Sequence, residues 1–218
     1  KLLECINYCN NNDKSLHLIG LVSDGGIHSH QKHLYEICRI AAQKKVKNVF
    51  IHAFTDGRDT DPKSAIKHIS DLEKNCYGSN IASVCGRYYA MDRDQRWERT
   101  KLAYDLLTKG VGTKSKNLIE AIKNSYEENI TDEFIKPIVH IDKNGNPIGT
   151  IQEKDAVICF NFRTDRCREI TTVLTQINMP EFEMQNLNLH YTTMTNYDNT
   201  FKNVNVIFDK ENLQNTLG

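Results

Sequence analysis

The sequence has no excess charge of either sign, no long apolar run, no paired-cysteine motif and no glycine-rich nucleotide loop. Each absence removes a class of function. Lys+Arg and Asp+Glu are both 28, so the formal net charge is zero. No bulk basic field draws the chain onto nucleic acid or an anionic membrane, and any anion binding has to be local, by arginines gathered in one place. Apolar runs are short. Ala156-Val157-Ile158-Cys159-Phe160 is typical, far below the ~20 residues of a membrane span. The cysteines, at positions 5, 9, 38, 76, 85, 159 and 167, include no Cys-x-x-Cys spacing. That argues against a zinc or disulfide framework and for reduced thiols used in packing. Gly25-Gly26 lies in neither Gly-x-x-x-x-Gly-Lys nor Gly-x-Gly-x-x-Gly, so it is not a phosphate loop of those types. The first residues, Lys1-Leu2-Leu3-Glu4-Cys5, lead into an Asn-rich turn at Asn10-Asn11-Asn12 rather than a signal-type apolar stretch. The expected location is cytoplasmic, and the glycosylation-type triplet Asn129-Ile130-Thr131 reads as chance.

What is present is the pattern of an α/β domain. The 218 residues suffice for one sizeable core, and no repeat or long linker divides them. Six β-type runs stand out, at 16–22, 48–54, 81–84, 138–141, 156–162 and 187–193. Several are apolar nearly throughout, which suits strands covered on both faces. Helical spacing occupies 30–45 (Leu34, Ile37, Cys38, Ala41), 62–75 behind Pro62, 92–109 (Trp97, Leu102, Leu106) and 118–128. The alternation predicts a three-layer α/β sandwich on a mostly parallel sheet. The turn Asn144-Gly145-Asn146-Pro147 predicts a hairpin that makes the sheet mixed.

The charged residues concentrate where these strands stop. The first runs into Ser23-Asp24-Gly25-Gly26-Ile27-His28-Ser29-His30 and the second into Thr55-Asp56-Gly57-Arg58-Asp59. The third runs into Gly86-Arg87-Tyr88-Tyr89-Ala90-Met91-Asp92-Arg93, and the fifth through Asn161-Phe162 into Arg163-Thr164-Asp165-Arg166. In open α/β sheets ligands bind at the carboxyl ends of the strands. If the four strands are parallel, their loops meet in one crevice. Arg58, Arg87, Arg93, Arg163 and Arg166 would offer fixed, bidentate donors to phosphate and carboxylate. Asp59 is placed to exchange a proton with a hydroxyl, and His28 to hydrogen-bond an anion or a hydroxyl. A small ligand with more than one anionic group and a hydroxyl fits that set.

Plainer readings compete. Asp-Gly-Arg-Asp is by itself an ordinary charged turn. Asp24, His28 and His30 make a weak metal motif without further carboxylates. Arg96 and Arg99 read as a solvated helix face, and Trp97 as core. The joint placement after four strands is what favours a site.

These four segments, with His52-Ala53-Phe54 leading the second, resemble cofactor-independent phosphoglycerate mutases. They occur in the family's order across most of the chain, and they match that enzyme's inserted transferase, or substrate-binding, domain. The resemblance implies that His28, Arg58, Asp59, Arg87 and Arg93 contact the substrate's carboxylate and hydroxyls. It implies that Arg163 and Arg166 contact its phosphoryl group, and that Asp59 is the general acid/base. Thr164 departs from the proline usual in the family. The family's phosphatase-like domain carries a phosphorylated serine and ligands for two divalent metals, manganese or magnesium, and no motif here matches it. The expectation is therefore a single domain over 1–218 that starts after the serine region and stops near the return hinge at Thr216-Leu217-Gly218. The expected partners are 3-phosphoglycerate, 2-phosphoglycerate and the phosphatase-like domain, with no metal bound by this chain. The competing expectation is a stand-alone anion-binding module without chemistry.

Overall fold

The six apolar runs lie side by side in the middle of one sheet, and two further strands close its edges. The computed structural model describes residues 1–209, so the hinge expected at Thr216-Leu217-Gly218 lies outside the described residues. In chain order the elements are α1 (Leu2–Asn12), β1 (Leu16–Leu21), α2 (Gln31–Gln43), β2 (Val49–Thr55), α3 (Ala65–Asn75), β3 (Asn80–Gly86) and the single turn α4 (Arg87–Ala90). There follow α5 (Trp97–Lys109), β4 (Thr113–Ser115), α6 (Leu118–Glu127), β5 (Ile138–His140), β6 (Ala156–Cys159), α7 (Arg168–Thr175), β7 (His190–Thr195) and β8 (Val204–Phe208).

The sheet order is β4-β5-β3-β2-β1-β6-β7-β8. Neighbours are parallel throughout except β3 and β5. The mixed character therefore comes from β5 running against β3. The expected hairpin at 144–147 is only a tight turn with one antiparallel bridge, Ile141 to Pro147, held by the Asp142 N–H on the Asn146 carbonyl at 2.8 Å. Among the described residues no strand after it joins the sheet on that side.

Two apolar layers cover the sheet. Alternation along β1 sends Leu16 and Leu18 to one face, with α1, α2, α3 and α6. It sends Ile19 and Leu21 to the other, with α5 and α7. Each such fully buried side chain contributes about 1.5–3 kcal/mol. A polar chain crosses the second face fully buried. Asp155 Oδ2 meets His17 Nε2 at 3.2 Å, His17 Nδ1 meets His52 Nε2 at 3.0 Å, and His52 Nδ1 meets Ser83 Oγ at 2.8 Å. Each interior polar atom thus has a partner, as burial requires.

Helix boundaries depart from the sequence pattern for local reasons. α1 occupies the expected Asn-rich turn. Cys5, Ile6 and Cys9 form its buried stripe, and it stops at Asp13, whose φ of 50° is left-handed. α3 starts at Ala65 rather than Pro62, because Asp132 from a later loop caps it, accepting the Ser64 and Ala65 N–H groups at 2.9 and 2.8 Å. The expected helix over 92–109 splits: 92–96 is a loop, since Asp92 Oδ2 takes the N–H groups of Asp94 and Arg96, both at 3.0 Å. Arg99 is not a solvated residue. Its guanidinium stacks 3.8 Å over the Tyr88 ring and pairs with Asp92 at 3.2 Å. All seven cysteines are free.

Candidate active site

The carboxyl ends of β1, β2, β3 and β6 share one edge of the sheet, and Arg87 is the hub at that edge. Gly86, the last residue of β3, has no room for a side chain: a Cβ there would lie 2.4 Å from the Glu133 carbonyl oxygen. The close crossing of that loop turns the chain into α4, whose first residue is Arg87. The guanidinium is almost completely buried. A buried charge is costly unless paired and hydrogen-bonded, and Arg87 is paired at both terminal nitrogens. Nη1 donates to Asp56 Oδ1 and to Asp59 Oδ2, each at 2.7 Å, and Nη2 donates to His28 Nε2 at 3.0 Å.

Asp56 anchors the hub. Besides Arg87 it accepts the Ser23 hydroxyl at 2.7 Å and the N–H groups of Arg58 and Asp59 at 3.2 and 3.0 Å. Burial alone would raise its pKa. The Asp59 amide, the Ser23 hydroxyl and the Arg87 charge outweigh burial and hold it below the usual carboxylate value. The same bonds fold the 56–59 turn so that Asp59 faces Arg87.

Arg87 can only donate, so His28 Nε2 is the unprotonated nitrogen and Nδ1 carries the hydrogen. Burial, with the Arg87 charge beside it, pushes the imidazole pKa down to about 4, so His28 is neutral at physiological pH. Among the described residues its Nδ1 has no hydrogen-bond partner, and it faces Asp165 Oδ1 at 3.7 Å.

The loop after β6 brings the second group of arginines. Asn161 Oδ1 takes the Leu21 N–H at 2.9 Å, which ends the ladder to β1 and turns the chain outward. The N–H groups of Phe162 and Arg163 then both donate to the His28 carbonyl, at 2.8 and 3.2 Å. Asp165 lies between two cations, with Arg93 Nη1 at 2.8 Å and Arg163 Nε at 3.0 Å. Arg166 is half-buried and donates to the Met91 carbonyl at 3.2 Å. Burial and the neighbouring Arg87 and Arg93 charges make its charged form harder to hold. Arg163 and Arg166 sit in the loop before α7, not in a helical turn. The Arg93 loop is tied to α7 through Glu169, which accepts the Gln95 N–H at 2.8 Å and the Thr100 hydroxyl at 3.2 Å.

His28, Asp59 and Arg87 thus form one contiguous group, and Asp165 joins Arg93 and Arg163 to it. Arg166 lies alongside. Arg58 stands apart at the rim, more than half exposed and 3.5 Å from Glu133. The weak metal motif is dispersed: Asp24 faces Lys67 and His68, and His30 caps α2. Ser23, Asp56, Asp165 and Glu169 carry no role in the sequence reading. They lie in or beside the same motifs, but residue type alone does not say which carboxylate of a loop turns inward. A cavity of about 430 Å³ adjoins the site, lined by Arg93, Trp97, Asp165 and Arg168 among others. Trp97 is accordingly half-buried between core and cavity.

Four guanidiniums, Arg87, Arg93, Arg163 and Arg166, against the three carboxylates Asp56, Asp59 and Asp165 leave an excess of positive charge at this edge. That arrangement holds a small multivalent anion, with a carboxylate within reach of its hydroxyl.

The family model described as "BPG-independent PGAM N-terminus" matches residues 1–199. The chain belongs to this family. Among its curated relatives are 2,3-bisphosphoglycerate-independent phosphoglycerate mutases of Flavobacterium psychrophilum, 56% identical over 219 residues, and of Clostridium novyi, 49% identical over 220 residues. Each match takes in 100% of this chain and 43% of the relative, so the chain spans under half the length of these relatives. Among solved structures, a Leishmania mexicana phosphoglycerate mutase at low cobalt concentration superposes with a TM-score of 0.81 and 30% identity. That match covers 91% of this chain and 41% of the other.

The described residues around the candidate site do not fit a catalytic metal. Among the described residues no group of three or more His, Cys, Asp or Glu side chains is placed to hold an ion. At the candidate site, His28 Nε2 is already taken by Arg87, and the carboxylates are occupied by arginines. Among the described residues no helix is long and apolar enough to cross a membrane.

Proposed function

We propose that this chain is the substrate-binding half of an enzyme interconverting 3-phosphoglycerate and 2-phosphoglycerate, a step of glycolysis and gluconeogenesis. The observation that carries the reading is the meeting of His28, Asp59, Arg87, Arg93, Arg163 and Arg166 at one sheet edge, in a member of this family. On this reading residues 1–218 are a single transferase domain. A phosphatase-like domain in the remainder of the protein supplies the serine that carries the phosphate and holds two divalent metals, manganese or magnesium. The location is cytoplasmic.

The chain's own residues orient the substrate. Arg87 and Arg93, with Arg58 from the rim, hold the carboxylate and hydroxyl end. Arg163 and Arg166 hold the phosphoryl group, matching planar donors to its oxygens. His28 gives its Nδ1 hydrogen to an oxygen of the substrate. Asp59, fixed by Arg87 and still partly exposed, takes the proton from the glycerate hydroxyl or returns it. Rate enhancement from this half comes from positioning and from charge placed where phosphate is transferred.

The test is steady-state kinetics of the full-length protein against the 218-residue chain, with 3-phosphoglycerate as substrate. The reading expects turnover from the first and none from the second, with both binding the substrate. An anion-binding module without chemistry would give binding and no turnover in either.

A further inference from the structure

Asp165 is the one acid of the Arg163–Arg166 loop, and it lies among the arginines assigned to the substrate. Its two oxygens sit on cations from two different elements, Arg93 Nη1 at 2.8 Å and Arg163 Nε at 3.0 Å. These are two of the arginines assigned above to the substrate. The third neighbour is His28 Nδ1, 3.7 Å from Asp165 Oδ1. That separation is too long for a hydrogen bond, and among the described residues neither atom makes one; Asp165 Oδ1 meets Arg163 Nε only as an ion-pair contact. A buried N–H without an acceptor carries a desolvation penalty. The donors around Asp165 are therefore only partly satisfied by it.

We propose that the Asp165 carboxylate is an internal stand-in for the substrate's anionic group, holding the arginine seat until a multivalent external anion displaces it. The inference rests on the phosphoglycerate reading for the identity of that anion. A phosphoryl group has more oxygens than a carboxylate. Entering from the solvent side, a phosphoglycerate accepts from Arg163 with its phosphoryl group and from Arg93 with its carboxylate, and one of its oxygens gives His28 Nδ1–H the acceptor that Asp165 leaves out of reach. The Asp165 side chain, about a quarter exposed, then turns toward the adjoining cavity that it already lines. The consequence is selectivity. Each binding event has to replace two internal ion pairs, so an anion with a single weak contact does not compete. One that engages several arginines at once does.

The experiment is titration calorimetry of the 218-residue chain, wild type, Asp165→Asn and Asp165→Ala, with inorganic phosphate and with 3-phosphoglycerate. Each partly exposed ion pair is worth up to about fivefold in an equilibrium constant, and Asp165 makes two. Both variants are therefore expected to bind inorganic phosphate about three- to tenfold tighter. The preference of the wild type for 3-phosphoglycerate over phosphate is expected to narrow. Phosphate binding that is unchanged or weaker in both variants overturns the proposal, because Asp165 then serves only to hold the arginines in place. If phosphate binding tightens but no form prefers 3-phosphoglycerate, the stand-in survives and the phosphoglycerate reading fails. A measurement on the wild type guards against misfolded variants. The carboxyl carbon resonance of Asp165 is expected to shift toward its solvated position when phosphate saturates the chain, and an unmoved resonance overturns the proposal.

Discussion

Replacing Asp56 by Ala removes the anchor of the Arg87 hub. Asp56 and Arg87 are both buried almost completely, 2.7 Å apart. Taking away one partner of a buried pair costs about 3–5 kcal/mol, because the other charge is left uncompensated. Asp59 still touches the same Nη1 at 2.7 Å, so the lower end applies, about 3 kcal/mol. For a chain of this size that lowers Tm by about 6–12 °C. Ser23→Ala deletes one hydrogen bond to the same carboxylate and is expected to cost about 1.5 kcal/mol. The pH dependence has a definite sign. The Asp56 pKa is lower in the folded chain than its ordinary value, so its contribution is fully present above the ordinary carboxylate range. It is lost as pH falls through the folded value. The gap between wild type and Asp56→Ala is therefore widest at neutral pH and closes in acid. Urea unfolding followed by circular dichroism, at a series of pH values, reads both effects. A loss below about 0.5 kcal/mol at neutral pH, the size of an ordinary surface substitution, refutes the hub, as does a gap that does not change with pH.

Arg163→Ala and Arg166→Ala are each expected to weaken 3-phosphoglycerate binding by about 1.5–3 kcal/mol, the range for a charge-assisted bond; calorimetry showing unchanged affinity in both removes the phosphoryl assignment. Asp59→Asn in the full-length protein is expected to lower kcat about 10²–10⁴-fold with little change in KM; a raised KM with kcat intact would instead make Asp59 a partner that merely orients Arg87. His28 is expected to titrate at about 4 with the hydrogen on Nδ1 in the neutral form, and nitrogen NMR showing a midpoint at or above 6 contradicts its burial against Arg87. Because its folded pKa lies below the unfolded one, its contribution to stability falls as pH drops from about 6.5 toward 4 and is level below that.

The apolar middle of the sheet was legible in the sequence because strands covered on both faces leave continuous hydrophobic runs, as in Leu18 and Ile19 or Ile158 and Cys159. The two edges were not. β4 is Thr113-Lys114-Ser115, three polar residues at the rim. β8 is only half-buried along its length, so neither leaves a run of buried residues. α7 was hidden by its β-branched residues, Ile170, Thr171, Thr172 and Val173, which carry a strand-like propensity that tertiary packing overrides. At the site, the arginines and Asp59 were legible because four charged loops each follow an apolar run. Asp56 and Asp165 were not. Asp56 differs from Asp59 only by facing inward, and that is decided by the Ser23 hydroxyl from another strand's loop. Arg58 shows the converse: its motif marks it as strongly as Arg87, yet the turn made by Asp56 leaves it at the rim.

One anion seat, at the carboxyl ends of β1, β2, β3 and β6, is proposed to receive phosphoglycerate. A crystal structure of the chain grown with 3-phosphoglycerate tests it directly. The phosphoryl group is expected against Arg163 and Arg166, the carboxylate end against Arg87 and Arg93, and the hydroxyl within hydrogen-bond distance of Asp59. Phosphoglycerate bound elsewhere with these arginines still on their internal partners, or bound with Asp59 out of reach of its hydroxyl, would contradict it.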